Sequence, residues 1–217
     1  MRRSTAPPRG TASDRVYDFA KWAILNAVYP GGEAITESGL AREIGVSRTP
    51  VRAAMLRLEG EGLVRFDERR RVVVATFTQQ EVEDTLEARV LVENHTAARS
   101  FEHRAALLPA VEDAHRAMQK SRREQDTAGF TENDRIFHEL IVDAAGNTVL
   151  SAVYRVLRER QTLFTSVMVR GRADRMDAAI EEHDKILETL RGDDAEEFLK
   201  AVNGHLTWSI ELARSSL

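Results

Sequence analysis

Apolar residues recur along this chain at intervals of three and four, and the helical period yields to a shorter one only around residues 63–75. Val16, Phe19, Ala20, Ala23, Ile24 and Ala27 predict a first helix, stopped by the run Tyr29-Pro30-Gly31-Gly32. Leu40, Ala41 and Ile44 predict a second, with Thr36 as its cap and Gly45 as the left-handed residue that ends it. Gly39, inside that helix, costs about 1 kcal/mol relative to alanine. Ser47 is an N-cap for a third helix in which Val51, Ala54, Met55 and Leu58 share one face. Pro50 falls in its first turn, where backbone N–H groups lack helical partners anyway. After Gly60 and Gly62, residues 63–66 and 72–75 read as two short strands around the polar run 67–71.

From Thr78 onward the helical period holds to the end. It predicts helices near 78–102, 104–123, 127–145, 147–170, 174–191 and 193–215, with breaks at Gly146-Asn147, Gly171 and Gly192-Asp193. The fold class is therefore mainly α: an N-terminal winged helix-turn-helix followed by a C-terminal all-α helical bundle. Residues 1–13, with Pro7, Pro8 and Gly10, read as a flexible arm, 14–76 as the winged module and 77–217 as the bundle.

Arg48, Thr49 and Arg52 fall together on a polar face of the third helix, beside its cap Ser47. Two arginines and a threonine in the first turns of a helix stiffened by proline match a recognition helix that touches base edges and phosphates in the DNA major groove. Arg69, Arg70 and Arg71 at the strand turn add positive charge that suits phosphates or a narrow minor groove, a solvated charged turn being the alternative. The run Ile44-Gly-Val-Ser-Arg-Thr-Pro-Val-Arg52, followed by Arg57-Leu-Glu-Gly-Glu-Gly-Leu-Val64, resembles the GntR family of bacterial transcription regulators. Two positions depart from that family. The wing tip lacks glycine, and Ser38 stands where some relatives carry a DNA-contacting arginine.

Charge agrees with the motif. Residues 1–76 hold 13 Lys+Arg against 9 Asp+Glu, of totals of 31 and 35, so a net −4 chain has a basic N-terminal third and an acidic remainder. There is no cysteine, which removes disulfide and thiolate chemistry. No apolar run approaches spanning length, and no apolar segment follows Arg2, Arg3 and Arg9, so no membrane partner and a cytoplasmic location are expected.

In the bundle, four ionisable residues stand where apolar ones are expected. Asp134 and His138 are one turn apart in line with Phe130, Ile141 and Ala145; His183 aligns with Ile180, Leu187 and Leu190; His205 aligns with Phe198 and Val202. Buried ionisable groups are costly unless paired or metal-bound, so a shared divalent metal is the simplest account. Three imidazoles and a carboxylate suit Zn first, with Ni, Co, Fe or Mn compatible. This set also resembles the FCD ligand-binding domain of the FadR-type GntR branch, and six helices match its shorter VanR-like variant. The resemblance implies that Arg89, within Glu87-Ala-Arg-x-x-x-Glu93, meets a ligand carboxylate; an i,i+4 surface pair with Glu93 is the competing account. His95, His103 and His115 are expected at the surface.

A DNA-binding regulator is thus expected: a homodimer on a palindromic operator, acting as a repressor controlled by a small carboxylate effector. The alternative, a metalloenzyme with a nucleic-acid-binding appendage, lacks a recognisable catalytic signature beside the ligands.

Overall fold

The computed structural model describes residues 10–170 and 172–214, which form two compact units divided between Thr76 and Phe77. Most of the expected N-terminal arm lies outside the described residues. Its end is helical: α1 (Ala12–Leu25) starts two residues ahead of the boundary expected at 14. Thr11 and Asp14 close a capping box there, each side chain satisfying the other's backbone N–H.

In the first unit, α2 (Glu37–Ile44) and α3 (Arg48–Gly60) follow a two-residue strand β1 (Ala34–Ile35). Thr36 caps α2 through Gly39, and a Cβ at Gly39 would stand 2.6 Å from the Thr36 hydroxyl oxygen, so the glycine's propensity cost makes room for the cap. Val16, Ala20, Ile24, Leu40, Val51, Met55 and Leu58 form the core. Ile44, expected inside, is half-buried. β2 (Val64–Phe66) and β3 (Val72–Val74) pair antiparallel, Val64 opposite Val74 and Phe66 opposite Val72, and β1 joins the far edge of β3. Two residues carry no readable period, so β1 is absent from the sequence expectation.

The second unit contains six helices among its described residues: α4 (Gln79–Glu102), α5 (Arg104–Glu124), α6 (Thr127–Ala144), α7 (Thr148–Val169), α8 (Ala173–Arg191) and α9 (Ala195–Arg214). Each lies within two residues of its expected bounds because the caps are local. Thr78 and Glu81 form a capping box on α4, Asp126 caps α6, and Gly146, at φ 71°, turns the chain into the Asn147 cap of α7. Phe101, Val111, Met118, Phe130, Phe137, Ile186, Leu190 and Phe198 fill the centre. No described helix is long and apolar enough to cross a membrane.

Candidate functional site

Gly45 ends α2 in left-handed backbone at φ 76°, and Val46 alone separates it from Ser47. Ser47 has the extended backbone of a cap, but its hydroxyl makes no capping hydrogen bond and is exposed. Arg48, Thr49 and Arg52 are exposed, while Val51, Ala54, Met55 and Leu58 on the other side are buried, so the core orients the polar face outward. The far end of α3 is anchored to α1. The Tyr17 hydroxyl donates to Glu61 at 2.7 Å, Lys21 bridges to the same carboxylate at 3.2 Å, and the Arg57 guanidinium lies 3.5 Å from the Tyr17 ring centre.

The wing turn forms without glycine. Asp67 accepts the backbone N–H groups of Arg69 and Arg71 at 2.9 and 2.8 Å, and Arg70 takes the left-handed position at φ 57°. Arg69 and Arg70 are exposed, whereas Arg71, although exposed, directs its guanidinium at the Asp67 carboxylate, 2.7 Å away.

In the second unit, His138 and Asp134 on α6, His183 on α8 and His205 on α9 converge. Ring nitrogens of the three histidines all lie within 4.8 Å of one another. His138 Nε2 is 3.0 Å from His183 Nε2, and Asp134 Oδ1 stands 3.8 and 3.6 Å from those two atoms. Burial, helped by the Arg89 charge at His138, holds His138 well below the usual imidazole range; burial, with His115 nearby, brings His183 to about 4. Burial and the neighbouring imidazoles lower His205 as well. Burial works to raise the Asp134 pKa, but Arg158, whose Nη2 donates to Oδ2 at 2.9 Å, and the histidines keep it well below the carboxylate range. Neutral imidazoles beside a carboxylate are the protonation states a divalent cation requires. Both nitrogens of His205 and Nδ1 of His183 are buried without a hydrogen-bond partner, so the donor set fits a metal.

Arg89 is not at the surface. It pairs with Glu93 as the i,i+4 account expects, yet both are buried, Arg89 to 1 % and Glu93 to 0 % exposure. Glu93 also accepts from the Tyr154 hydroxyl at 2.6 Å and from His138 Nδ1 at 2.9 Å, which fixes the tautomer that leaves His138 Nε2 its lone pair. Arg89 Nη2 has no partner. Arg89 is among the residues lining a cavity that Asp134 and His205 also line. Burial opposes the charge on Arg89, but Glu93, Tyr154 and Asp134 raise its pKa and keep it a cation.

Sequence reasoning missed Glu93, Tyr154, Arg158 and Gln161. A signal was there: Val82, Leu86, Arg89 and Glu93 form one stripe on α4, and Ser151, Tyr154 and Arg158 form one on α7. His115 corrects another expectation. It is buried, packed near Phe137 and His183, because α5 is covered by both α6 and α8; Val111 and Met118 mark its stripe. His95 and His103 are exposed as expected.

Two family models account for these two units. The gntR family of bacterial regulatory proteins matches residues 12–74 and the FCD domain matches residues 84–207, more than half of the chain. The chain belongs to the GntR family. It is a transcription regulator rather than an enzyme, and its FCD domain is the effector-binding part. An HTH-type transcriptional regulator from the TAR-I ttuE–ttuC' intergenic region of Agrobacterium vitis is 31% identical over 59% of this chain and 78% of its own length. The gluconate operon transcriptional repressor of Bacillus licheniformis is 24% identical over 90% of this chain and 82% of its own. A solved GntR regulator from Rhodococcus sp. RHA1 shares the fold, with a TM-score of 0.80 at 20% identity over 94% of this chain and 98% of that one.

Proposed function

We propose that this GntR regulator is a cytoplasmic repressor that binds a palindromic operator as a homodimer and is controlled by a small carboxylate held at a divalent metal centre. One recognition helix reads only a few base pairs, so specificity needs two across a two-fold axis. Ser47, Arg48, Thr49 and Arg52 take the base-edge and phosphate contacts, and Arg69 and Arg70 take backbone or minor-groove contacts, with Arg71 contributing less because Asp67 holds it. His138, His183 and His205 would hold the metal, with Asp134 as the fourth ligand; Zn is the first expectation. When bound, a divalent cation supplies positive charge and positions an anion can occupy.

The observation that carries the proposal is that Arg89, whose buried Nη2 has no hydrogen-bond partner, lines the same cavity as Asp134 and His205. Arg89 binds and orients the carboxylate, and the surrounding apolar side chains exclude water, which strengthens the pairing. The ligand acts on DNA affinity through its differential affinity for two conformations of the domain, a coupling of about 1–3 kcal/mol. The test is titration of operator DNA with and without a carboxylate selected by thermal stabilisation. Operator affinity that stays constant while the ligand binds rules out effector control.

A further inference from the structure

The two oxygens of Asp134 have different partners. Oδ1 stands 3.8 Å from His138 Nε2 and 3.6 Å from His183 Nε2, whereas Oδ2 accepts a hydrogen bond from Arg158 Nη2 at 2.9 Å. Arg158 is itself held. Its Nη1 donates to the carboxamide oxygen of Gln161, three residues further along α7, at 2.7 Å, and both side chains are buried. A guanidinium so placed cannot turn to water, and taking Oδ2 from it would leave a buried cation uncompensated. The other buried carboxylate nearby offers no replacement, because Glu93 is already engaged by Arg89, Tyr154 and His138.

A carboxylate ligates a cation through one oxygen or through two. We propose that Arg158 is a positioning residue that reserves Oδ2 and so limits Asp134 to one oxygen toward the metal. The inference rests on the metal centre proposed above and specifies what selects its cation. Three imidazole nitrogens and one carboxylate oxygen make a set of four donors that suits zinc. A second oxygen would move the set toward manganese, which favours oxygen-rich surroundings and six ligands. Arg158 thus acts against manganese without touching the cation, and it does so from α7, a helix that contributes no ligand to the cluster.

Full-length protein stripped with a chelator and titrated with zinc and with manganese, each in competition with an indicator, tests this in the parent, Arg158→Met and Arg158→Lys. The preference for zinc over manganese should narrow at least about ten-fold in Arg158→Met, the lower end of what loss of an outer hydrogen-bond partner does to a metal site. Arg158→Lys keeps a charged donor for Oδ2 and should restore most of the preference. Zinc and manganese weakened by the same factor in Arg158→Met would reduce Arg158 to a packing support, which overturns the inference and leaves the metal centre standing. Failure of the parent to bind either metal overturns both. A second measurement needs no variant and so does not depend on Arg158→Met folding: infrared difference spectra of the parent, carrying isotope-labelled aspartate, with zinc minus without. Ligation through one oxygen separates the two carboxylate stretches widely and ligation through both brings them together. A wide separation is expected, and a narrow one overturns the inference.

Discussion

Glu93 on α4 receives the Nδ1–H of His138 on α6 at 2.9 Å, and its other oxygen holds the Tyr154 hydroxyl at 2.6 Å. One buried carboxylate thus ties together the arginine that lines the cavity, a tyrosine on α7 and a candidate metal ligand. Glu93→Gln keeps the size and can still accept one bond, but weakens the hold on the His138 tautomer. Metal affinity should fall about 10–100-fold, as measured by competition with a chelator, while the fold survives. Equal affinity in the variant would mean that the carboxylate only packs.

Purified protein should carry about one divalent metal per chain, and His138→Ala or His183→Ala should lose it. Elemental analysis decides this. Saturating metal at a hundred times its dissociation constant should also stabilise the parent by about 2.7 kcal/mol, a gain absent from either variant. Full occupancy in both variants would move the site elsewhere.

Arg48→Ala and Arg52→Ala should each cost about 1–3 kcal/mol of specific operator binding if the side chain reads a base. Arg69→Ala should instead weaken all DNA sequences alike and reduce the salt slope by about one. Arg71→Ala should change the slope less, because its guanidinium is already spent on Asp67. Binding titrations at several salt concentrations separate these outcomes, and unchanged affinity in both recognition-helix variants would refute the assignment of α3.

Metal-free protein should lose stability in mild acid. His138, His183 and His205 have folded pKa values lowered by burial, His183 to about 4, so the unfolded chain takes up protons below about pH 6.5 that the folded chain refuses. Their contribution is full above pH 6.5 and falls as pH drops toward 4. Asp134, lowered in the folded state, adds a loss below about pH 4. Denaturant melts in chelator from pH 7 to 4 check the slope; a flat profile would mean the imidazoles titrate in the fold as they do in water.

Arg70→Gly should leave stability unchanged or raise it by about 1 kcal/mol, since glycine removes the left-handed penalty at φ 57°. A thermal melt of the variant showing a marked loss would place the Arg70 side chain in a supporting contact.

The helix-turn-helix was legible because its signals are local: Gly45, Ser47 and Pro50 state where helices end and begin, and Val51 and Met55 state which face is buried. That Asp134, His138, His183 and His205 are buried was legible, because they interrupt apolar stripes. Glu93 and Arg158 were not, because their partners His138 and Asp134 lie on other helices, 45 and 24 residues away, and a charged residue next to an oppositely charged one reads as solvated surface. His115 was misplaced because the apolar stripe on its side of α5 is covered by a second helix.

Asp67 has a consequence for how such a protein diversifies. Because one aspartate supplies the hydrogen bonds that shape the wing, the turn does not depend on what residues 68 and 69 carry. Those two positions can exchange side chains through mutation while the strands keep their register. A library randomised at 68 and 69 should hence yield folded proteins with altered overall DNA affinity and salt dependence, whereas substitution of Asp67 should not. Shape and chemistry are assigned to separate residues here, and inheritance can alter one without disturbing the other.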